Sequence, residues 1–227
     1  MALLNSQSFY INSGNAAVLD WIEDSDRRIL DVGCGAGNTG KLIQTSHPHS
    51  FVAGVTCSIK EYNQASSNLD LCFCLDVERD AIEQIGKEYD LILFSHVLEH
   101  LVDPLAVIQR LLPCLKPDGK VIIALPNIAN WRERWKLALG KFEYADSGVM
   151  DRTHLHFYTF YTAPRYLIEP IPSLKLEHHG VNGSVPLAFL RHYFLNENWR
   201  KQIDRWGCQI FPNLCGGEVL MIARYSP

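Results

Sequence analysis

Arg28-Ile-Leu-Asp-Val-Gly-Cys-Gly-Ala-Gly-Asn-Thr-Gly40 decides how this chain is read. A β-rich run, Ile29 to Val32, drives straight into Gly33, Gly35, Gly37 and Gly40. Glycines this dense after an apolar run mean a turn with unusual backbone angles or a close approach by a ligand. Lys41-Leu-Ile-Gln then restarts a helical pattern. Strand, glycine turn and helix N-terminus together make a site for a nucleotide-like ligand.

Working outward, the chain alternates strand and helix. Asn15 to Ile22 and Gly40 to Thr45 read as helices on either side of strand one, and His47-Pro48-His49 breaks the second. Strand two is Phe51 to Val55, helix Lys60 to Leu69 follows, and strand three, Leu71 to Leu75, ends at Asp76. After a short helix at Glu78 to Ile85 comes strand four, Tyr89 to Phe94, apolar on both faces as a buried parallel strand is. Pro104 to Leu115 is helical, Lys116-Pro-Asp-Gly119 is a turn signal, and strand five runs Lys120 to Leu125 until Pro126 stops it.

Five alternations predict an α/β fold with a doubly wound, mostly parallel sheet. After Pro126 the rhythm changes. Asn130 to Leu139 is an aromatic and basic helix, Gly140 to His154 a loop, and Ala163 to Glu169 a helix. Strand six is Leu174 to His179, an apolar helical piece spans Pro186 to Trp206, and strand seven is Glu218 to Tyr225. The expectation is a single domain over 1–227 with a seven-stranded sheet. A helical lid follows strand five, and segments 127–170 and 181–217 cover the substrate side.

The bulk composition bounds the setting. The chain has 227 residues, 47% hydrophobic and 20% charged, with a net charge of −4. That balance suits a soluble globular protein and gives no support to a broad polyanion-binding surface, so no DNA partner is expected. Seven cysteines form no CxxC pair, and buried thiols in a reducing cytoplasm are expected over disulfides. Met1-Ala-Leu-Leu-Asn-Ser-Gln-Ser lacks a basic start and an apolar core, and no run reaches membrane-spanning length.

Read literally, Gly35-Ala-Gly37-Asn-Thr-Gly40 is a G-x-G-x-x-G match. Two residues argue against NAD. Asp31 puts a negative charge just before the glycines, where a diphosphate would sit. The ribose-binding acid expected at the end of strand two is missing, since Val55 is followed by Thr56. No G-x-x-x-x-G-K-[ST] is present, which excludes a P-loop.

Ile29-Leu-Asp-Val-Gly-Cys-Gly-Ala-Gly37 resembles the first motif of the class I S-adenosylmethionine-dependent methyltransferases. Tyr89-Asp-Leu-Ile-Leu-Phe-Ser-His-Val-Leu-Glu-His-Leu-Val-Asp-Pro104, Leu111-Leu-Pro-Cys-Leu-Lys-Pro-Asp-Gly119 and Leu125-Pro-Asn127 are similar to its later motifs. The resemblance covers roughly residues 10 to 180 and implies a Rossmann-like methyltransferase fold. Asp151-Arg-Thr-His-Leu-His-Phe-Tyr-Thr159 is similar to a segment of polysaccharide-associated and ubiquinone-type members.

That resemblance implies S-adenosylmethionine as cofactor, a sulfonium cation with an amino group and no phosphate, toward which Asp31 becomes an asset. It further implies Gly33, Cys34, Gly35 and Gly37 against the methionine and ribose, and Asp76 with Val77 at the adenine. Ser95 and His96 would line the cofactor near its methyl group. Thr56 departs from the family's acid, and Thr56 or Ser58 is left to hydrogen-bond a ribose hydroxyl.

Methyl transfer from a sulfonium is an in-line displacement in which the protein aligns the nucleophile and excludes water. A hydroxyl nucleophile also needs a base, and His96 is the first candidate; the plainer reading is that it packs on the cofactor. His154, arriving from the lid with His156, is the second candidate catalytic residue. His96, Glu99 and His100 have a spacing that gathers them on one face. Imidazoles with a carboxylate can hold a metal, and the set resembles that of metal-dependent small-RNA 2′-O-methyltransferases. The plainer expectation is no metal, with Glu99 and His100 orienting their loop and His154 tying down the lid.

Trp131 and Trp135, with Arg132, Arg134 and Lys136, either grip a planar or anionic acceptor or form a lid helix with one apolar face. Phe157, Tyr158, Phe160 and Tyr161 are shared between core and pocket wall. Phe189, Tyr193 and Phe194 form a greasy way in or a homodimer surface. The reading is an S-adenosylmethionine-dependent methyltransferase acting at oxygen on a small or medium acceptor. Its alternatives are a partner subunit of the same fold and a metal-dependent RNA methyltransferase.

Overall fold

A computed structural model describes residues 13–187, 191 and 193–227. The Met1–Ser8 stretch and Phe189 lie outside the described residues. Seven strands form one sheet: β1 Arg28–Val32, β2 Phe51–Thr56, β3 Leu71–Cys74, β4 Tyr89–Ser95, β5 Leu115–Pro126, β6 Leu174–Gly183 and β7 Gly216–Tyr225. Their order is β3-β2-β1-β4-β5-β7-β6. β7 runs antiparallel to both neighbours and every other pairing on the β3 side is parallel. This is the mostly parallel, doubly wound sheet that the alternation predicts.

Strand alternation sorts the core into two layers. Leu30 and Val32 of β1 pack with Ile92, Phe94 and Ile123 on one face. Ile29 packs with Leu91, Leu93 and Ile122 on the other. All of these are essentially unexposed, and each contributes about 1.5–3 kcal/mol by leaving water. The strand order reverses between β1 and β4, so a crevice opens at their C-terminal ends, and such switch points hold ligands in open α/β sheets.

The helices are α1 Asn38–Ser46, α2 Ile59–Ala65, α3 Pro104–Leu111, α4 Trp131–Ala138, α5 Thr162–Leu167, α6 Glu197–Ile210 and α7 Pro212–Cys215. Several differ from the reading of the sequence. The expected helix at Asn15 to Ile22 is a 3-10 turn over Ala16–Trp21, capped by Asn15. α2 stops at Ala65 rather than Leu69, and the freed Leu69 turns under the glycines. A Cβ at Gly40 would lie 2.3 Å from Leu69 Cδ2, and one at Gly54 2.4 Å from its Cδ1. Gly40 is therefore a packing glycine. The Lys116–Gly119 turn signal falls inside β5 as an irregularity: Asp118 adopts a φ of +61° and the register with β4 shifts between Tyr89 and Leu91. α3 ends at Leu111 because Pro113 follows, and a 3-10 turn carries the chain into β5.

Pro126 closes β5, and Asn127 fastens the segment behind it. Asn127 is unexposed; its Nδ2 donates to Gly216 O at 2.7 Å and Asn213 O at 3.2 Å, while its Oδ1 accepts from Ala129 N. Its backbone bridges to Tyr158. One amide thereby joins the segment after β5, α7 and the start of β7. Among the described residues, no helix is long and apolar enough to cross a membrane.

Candidate functional site

The glycine turn sits on the end of β2. Gly33 N and Cys34 N both donate to Val55 O, at 2.8 and 3.0 Å. Gly33, Gly35 and Gly37 have φ of +74°, +53° and +80°, the left-handed region that side chains with a Cβ resist. A Cβ at Gly33 would lie 2.4 Å from Val97 Cγ2, whereas one at Gly35 would meet nothing within 4 Å. Gly33 serves close packing, and Gly35 leaves bare backbone facing open space.

Behind this turn lies Asp31, 1% exposed. Its Oδ2 has no hydrogen-bond partner, and burial raises its pKa to about 7. A buried acid without a partner is costly to ionise. A cation at the turn would relieve that cost, whereas a phosphate would add to it. Carboxylate and bare glycine backbone together fit a ligand with an amino group, as S-adenosylmethionine has.

Five of the expected cofactor contacts also have partners within the protein. Cys34 points its thiol into the core, where hydrogen bonding with Cys72, and then burial, raises its pKa; only its backbone belongs to the turn. The Ser58 hydroxyl is buried and caps α2, accepting from Glu61 N. Thr56 is 4% exposed, accepts from Ser58 N at 3.2 Å and donates to Glu61 Oε2 at 2.7 Å. Val77 is buried and its carbonyl accepts from Arg110 Nη1. Asp76 ends β3 in a turn, with Oδ1 accepting from Glu78 N.

The second half of the site is a polar cluster at the ends of β4 and β7. Ser95 Oγ accepts from Asn15 Nδ2 at 3.1 Å. The same Nδ2 reaches Glu218 Oε1 at 2.5 Å, and Asn15 N donates to Thr39 Oγ1 of α1. His96 follows in a left-handed conformation, φ +53°, its amide held by Ala124 O. Its Nε2 lies 2.7 Å from Glu218 Oε1 and its Nδ1 3.4 Å from Glu99 Oε1. Burial alone would lower its pKa, but the hydrogen bond to Glu218 and the Glu99 carboxylate beside Nδ1 outweigh that and raise it to about 10.

Both nitrogens of His96 face carboxylates, which favours the protonated ring. A raised pKa works against the expected role of taking the acceptor's proton.

His154 lies buried in the tie between the 149–156 segment and the turn after β4. Its side chain is 6% exposed, Nδ1 donates to Val149 O at 3.0 Å, and Nε2 faces Glu99 Oε1 at 4.0 Å. His100, held below the usual imidazole range by burial, pairs through Nδ1 with Thr153 Oγ1 and stacks edge-on against His154. Leu155 N and His156 N both donate to Glu99 O. These bonds fasten the 149–156 segment onto the turn after β4. Glu99, His100 and His154 also bring one ligand atom each within 4.8 Å of the others, a spacing that suits a divalent ion.

α4 presents no buried residue. Trp131 is anchored, with Nε1 donating to Ser184 O and Arg132 over its ring, while Trp135 is 65% exposed. The expected apolar face on the core is therefore absent. Three residues the sequence reading passed over, Asn15, Glu61 and Glu218, belong to the site. Glu218 opposes Pro126 in the β5–β7 register, a pairing that no sequence signal announces. Glu61 follows Ser58 at capping-box spacing, the signal there.

A family model described as a methyltransferase domain matches residues 9–161. The chain belongs to the methyltransferase-domain family. Its fold is that of the class I S-adenosylmethionine-dependent enzymes. Among curated relatives, the ubiquinone biosynthesis O-methyltransferase of Aeromonas salmonicida is 26% identical over 63% of this chain and 62% of that protein. The chain thus spans less than two thirds of the length of that relative. The protein of the same name from Bordetella avium is 30% identical over 81% of this chain and 78% of its own length. A solved SAM-dependent methyltransferase from Archaeoglobus fulgidus shares the fold, with a TM-score of 0.59 and 19% identity over 92% of this chain and 91% of that one.

Proposed function

We propose that this methyltransferase moves a methyl group from S-adenosylmethionine to an oxygen of a small or medium acceptor. The observation that carries the reading is Asp31, a buried carboxylate with an unpartnered oxygen directly behind a glycine turn whose Gly35 faces open space. The cofactor, when bound, supplies an electrophilic methyl on a sulfonium. Asp31 and the Gly33–Gly37 backbone hold its charged end, and Asp76 stands at the adenine side. The names of the O-methyltransferase relatives support oxygen as the acceptor atom.

His96 enters this reading as a fixed positive charge rather than a base. Glu218 and Glu99 keep the proton on its ring, and Asn15 holds Glu218 in place. With His96 already holding a proton, the acceptor's own proton leaves to solvent before attack and the oxygen reacts as an anion that is neutralised as the methyl arrives, which favours acidic oxygens such as phenols, enols or carboxylates over alcohols and amines, whose protons are held more tightly at neutral pH. Segments 127–170 and 181–217 form the substrate-side cover, with the 149–156 tie excluding water. All seven cysteines are thiols, as a cytoplasmic setting favours.

The test is titration calorimetry with S-adenosylmethionine on the full chain, followed by release of S-adenosylhomocysteine with phenol, carboxylate and amine acceptors. Binding at micromolar cofactor and turnover with acidic oxygens are expected. Absence of binding at millimolar cofactor sinks the reading in favour of a partner subunit of the same fold.

A further inference from the structure

Ser58-Ile-Lys-Glu61 has the spacing of a capping box, in which the glutamate side chain reaches back to the amide of the cap residue. Here the box is left open. Ser58 N–H donates to Thr56 Oγ1 instead, and the Thr56 hydroxyl passes its own proton to Glu61 Oε2 at 2.7 Å. The Glu61 carboxylate is thereby drawn off its helix cap to the C-terminal end of β2, beside the glycine turn that rests on Val55 O.

Thr56 is too deeply buried to meet a ligand, whereas Glu61 is half-buried. The Cys57 thiol, raised first by burial and then by Asp76 and Glu61, places both carboxylates around the ends of β2 and β3. A carboxylate offers about four acceptor positions, and Thr56 occupies one. A vicinal diol, with two donors, matches what remains.

We propose that Glu61, tethered by Thr56, supplies the carboxylate that grips the cofactor's ribose hydroxyls, in place of the acid absent from the end of β2. This rests on the cofactor reading under Proposed function. A carboxylate accepting two hydroxyls makes charge-assisted hydrogen bonds, among the stronger ones available. Thr56 is then a positioning residue: it trades the direct acid for a hydroxyl that aims one from the next helix.

The experiment is calorimetric titration of the full chain with S-adenosylhomocysteine and with its 2′-deoxy counterpart. The wild-type chain is expected to prefer the ribose form. Glu61→Gln should weaken S-adenosylhomocysteine binding about tenfold or more and remove most of the preference over the deoxy compound. Thr56→Val, which only cuts the tether, should cost less than E61Q.

Equal loss for both ligands in E61Q, or no loss, overturns the proposal, and so does a T56V loss exceeding that of E61Q. If E61Q fails to fold by circular dichroism, Glu61→Asp, which keeps the charge one methylene shorter, should reduce the ribose preference; an unchanged preference overturns it. Failure of the wild-type chain to bind at all is a different outcome and strikes the cofactor reading instead.

Discussion

His96 at the end of β4 and Glu218 at the start of β7 meet at 2.7 Å, from Nε2 to Oε1. Strand pairing makes the meeting possible: Ser95 pairs with Ala124, and Ala124 with Leu220. The pair favours a positive charge on the His96 ring, balanced by the Glu218 carboxylate.

The first prediction concerns that charge. Burial pulls the His96 pKa down, but Glu218 and Glu99 raise it to about 10. A folded-state value above the unfolded one means the contribution to stability is full below about pH 6.5 and is lost as pH climbs through about 10. Imidazole resonances followed by NMR should show His96 protonated through about pH 8. Glu218→Gln should bring its titration down toward the ordinary imidazole range. It should also destabilise the chain more at about pH 7 than at about pH 11. A wild-type titration near 6.5 would return His96 to the role of base.

Asp31 gives a second prediction, in which function and stability move in opposite directions. Its folded pKa is about 7 against an ordinary 3.8, so the folded chain holds the proton more tightly than the unfolded one. Its contribution is full below 3.8 and lost as pH rises through about 7. The loss is on the order of 4 kcal/mol at about 1.4 kcal/mol per unit. Asp31→Asn should therefore raise the melting temperature of the cofactor-free chain by several degrees at about pH 8 and little at about pH 4. The same variant should lose cofactor affinity at least tenfold. Calorimetry and thermal melts at the two pH values check both halves.

These two residues also show what the sequence made legible. Asp31 was readable because it lies one residue from a strand end that the apolar run and Gly33 define, and strand alternation then buries it. The sheet was readable for the same reason: β1, β4 and β5 are apolar on both faces, which only a covered parallel strand tolerates. Glu218 was not readable, since its partners Asn15 and His96 are brought to it by β7 running backwards beside β5. The directions of the Cys34 and Ser58 side chains were not legible, because position in a motif does not say where a side chain points. The thiol turns into the core and the hydroxyl turns onto its own helix. α2 ended early for a packing reason, the need for Leu69 beneath Gly40 and Gly54.

A third prediction separates a fastening role from metal chemistry at Glu99, His100 and His154. Both Glu99 side-chain oxygens are buried without a hydrogen-bond partner, and His96 supplies a positive charge at 3.4 Å. If that charge suffices, prolonged treatment with a chelator leaves turnover and melting temperature unchanged. Loss of activity restored by a divalent ion, with a matching rise in melting temperature, would assign the cluster to a metal.

Asn127 carries the last prediction. Its amide nitrogen serves two carbonyls, Gly216 O and Asn213 O, and its oxygen takes Ala129 N. None of these groups finds water easily, because the residue is unexposed. Asn127→Ala leaves two acceptors and a donor unmatched, and each unsatisfied buried group costs about 1–3 kcal/mol. The groups share one junction and can relax together, so a total of roughly 3 kcal/mol is expected rather than the sum. Denaturant unfolding should show it as a lower midpoint with little change in slope. Asn127→Asp keeps the acceptor toward Ala129 but turns the donor into a second acceptor facing two carbonyls, so it should be at least as damaging as alanine. An aspartate variant as stable as the wild type would mean that the junction is held by the backbone bridge to Tyr158 and not by the amide.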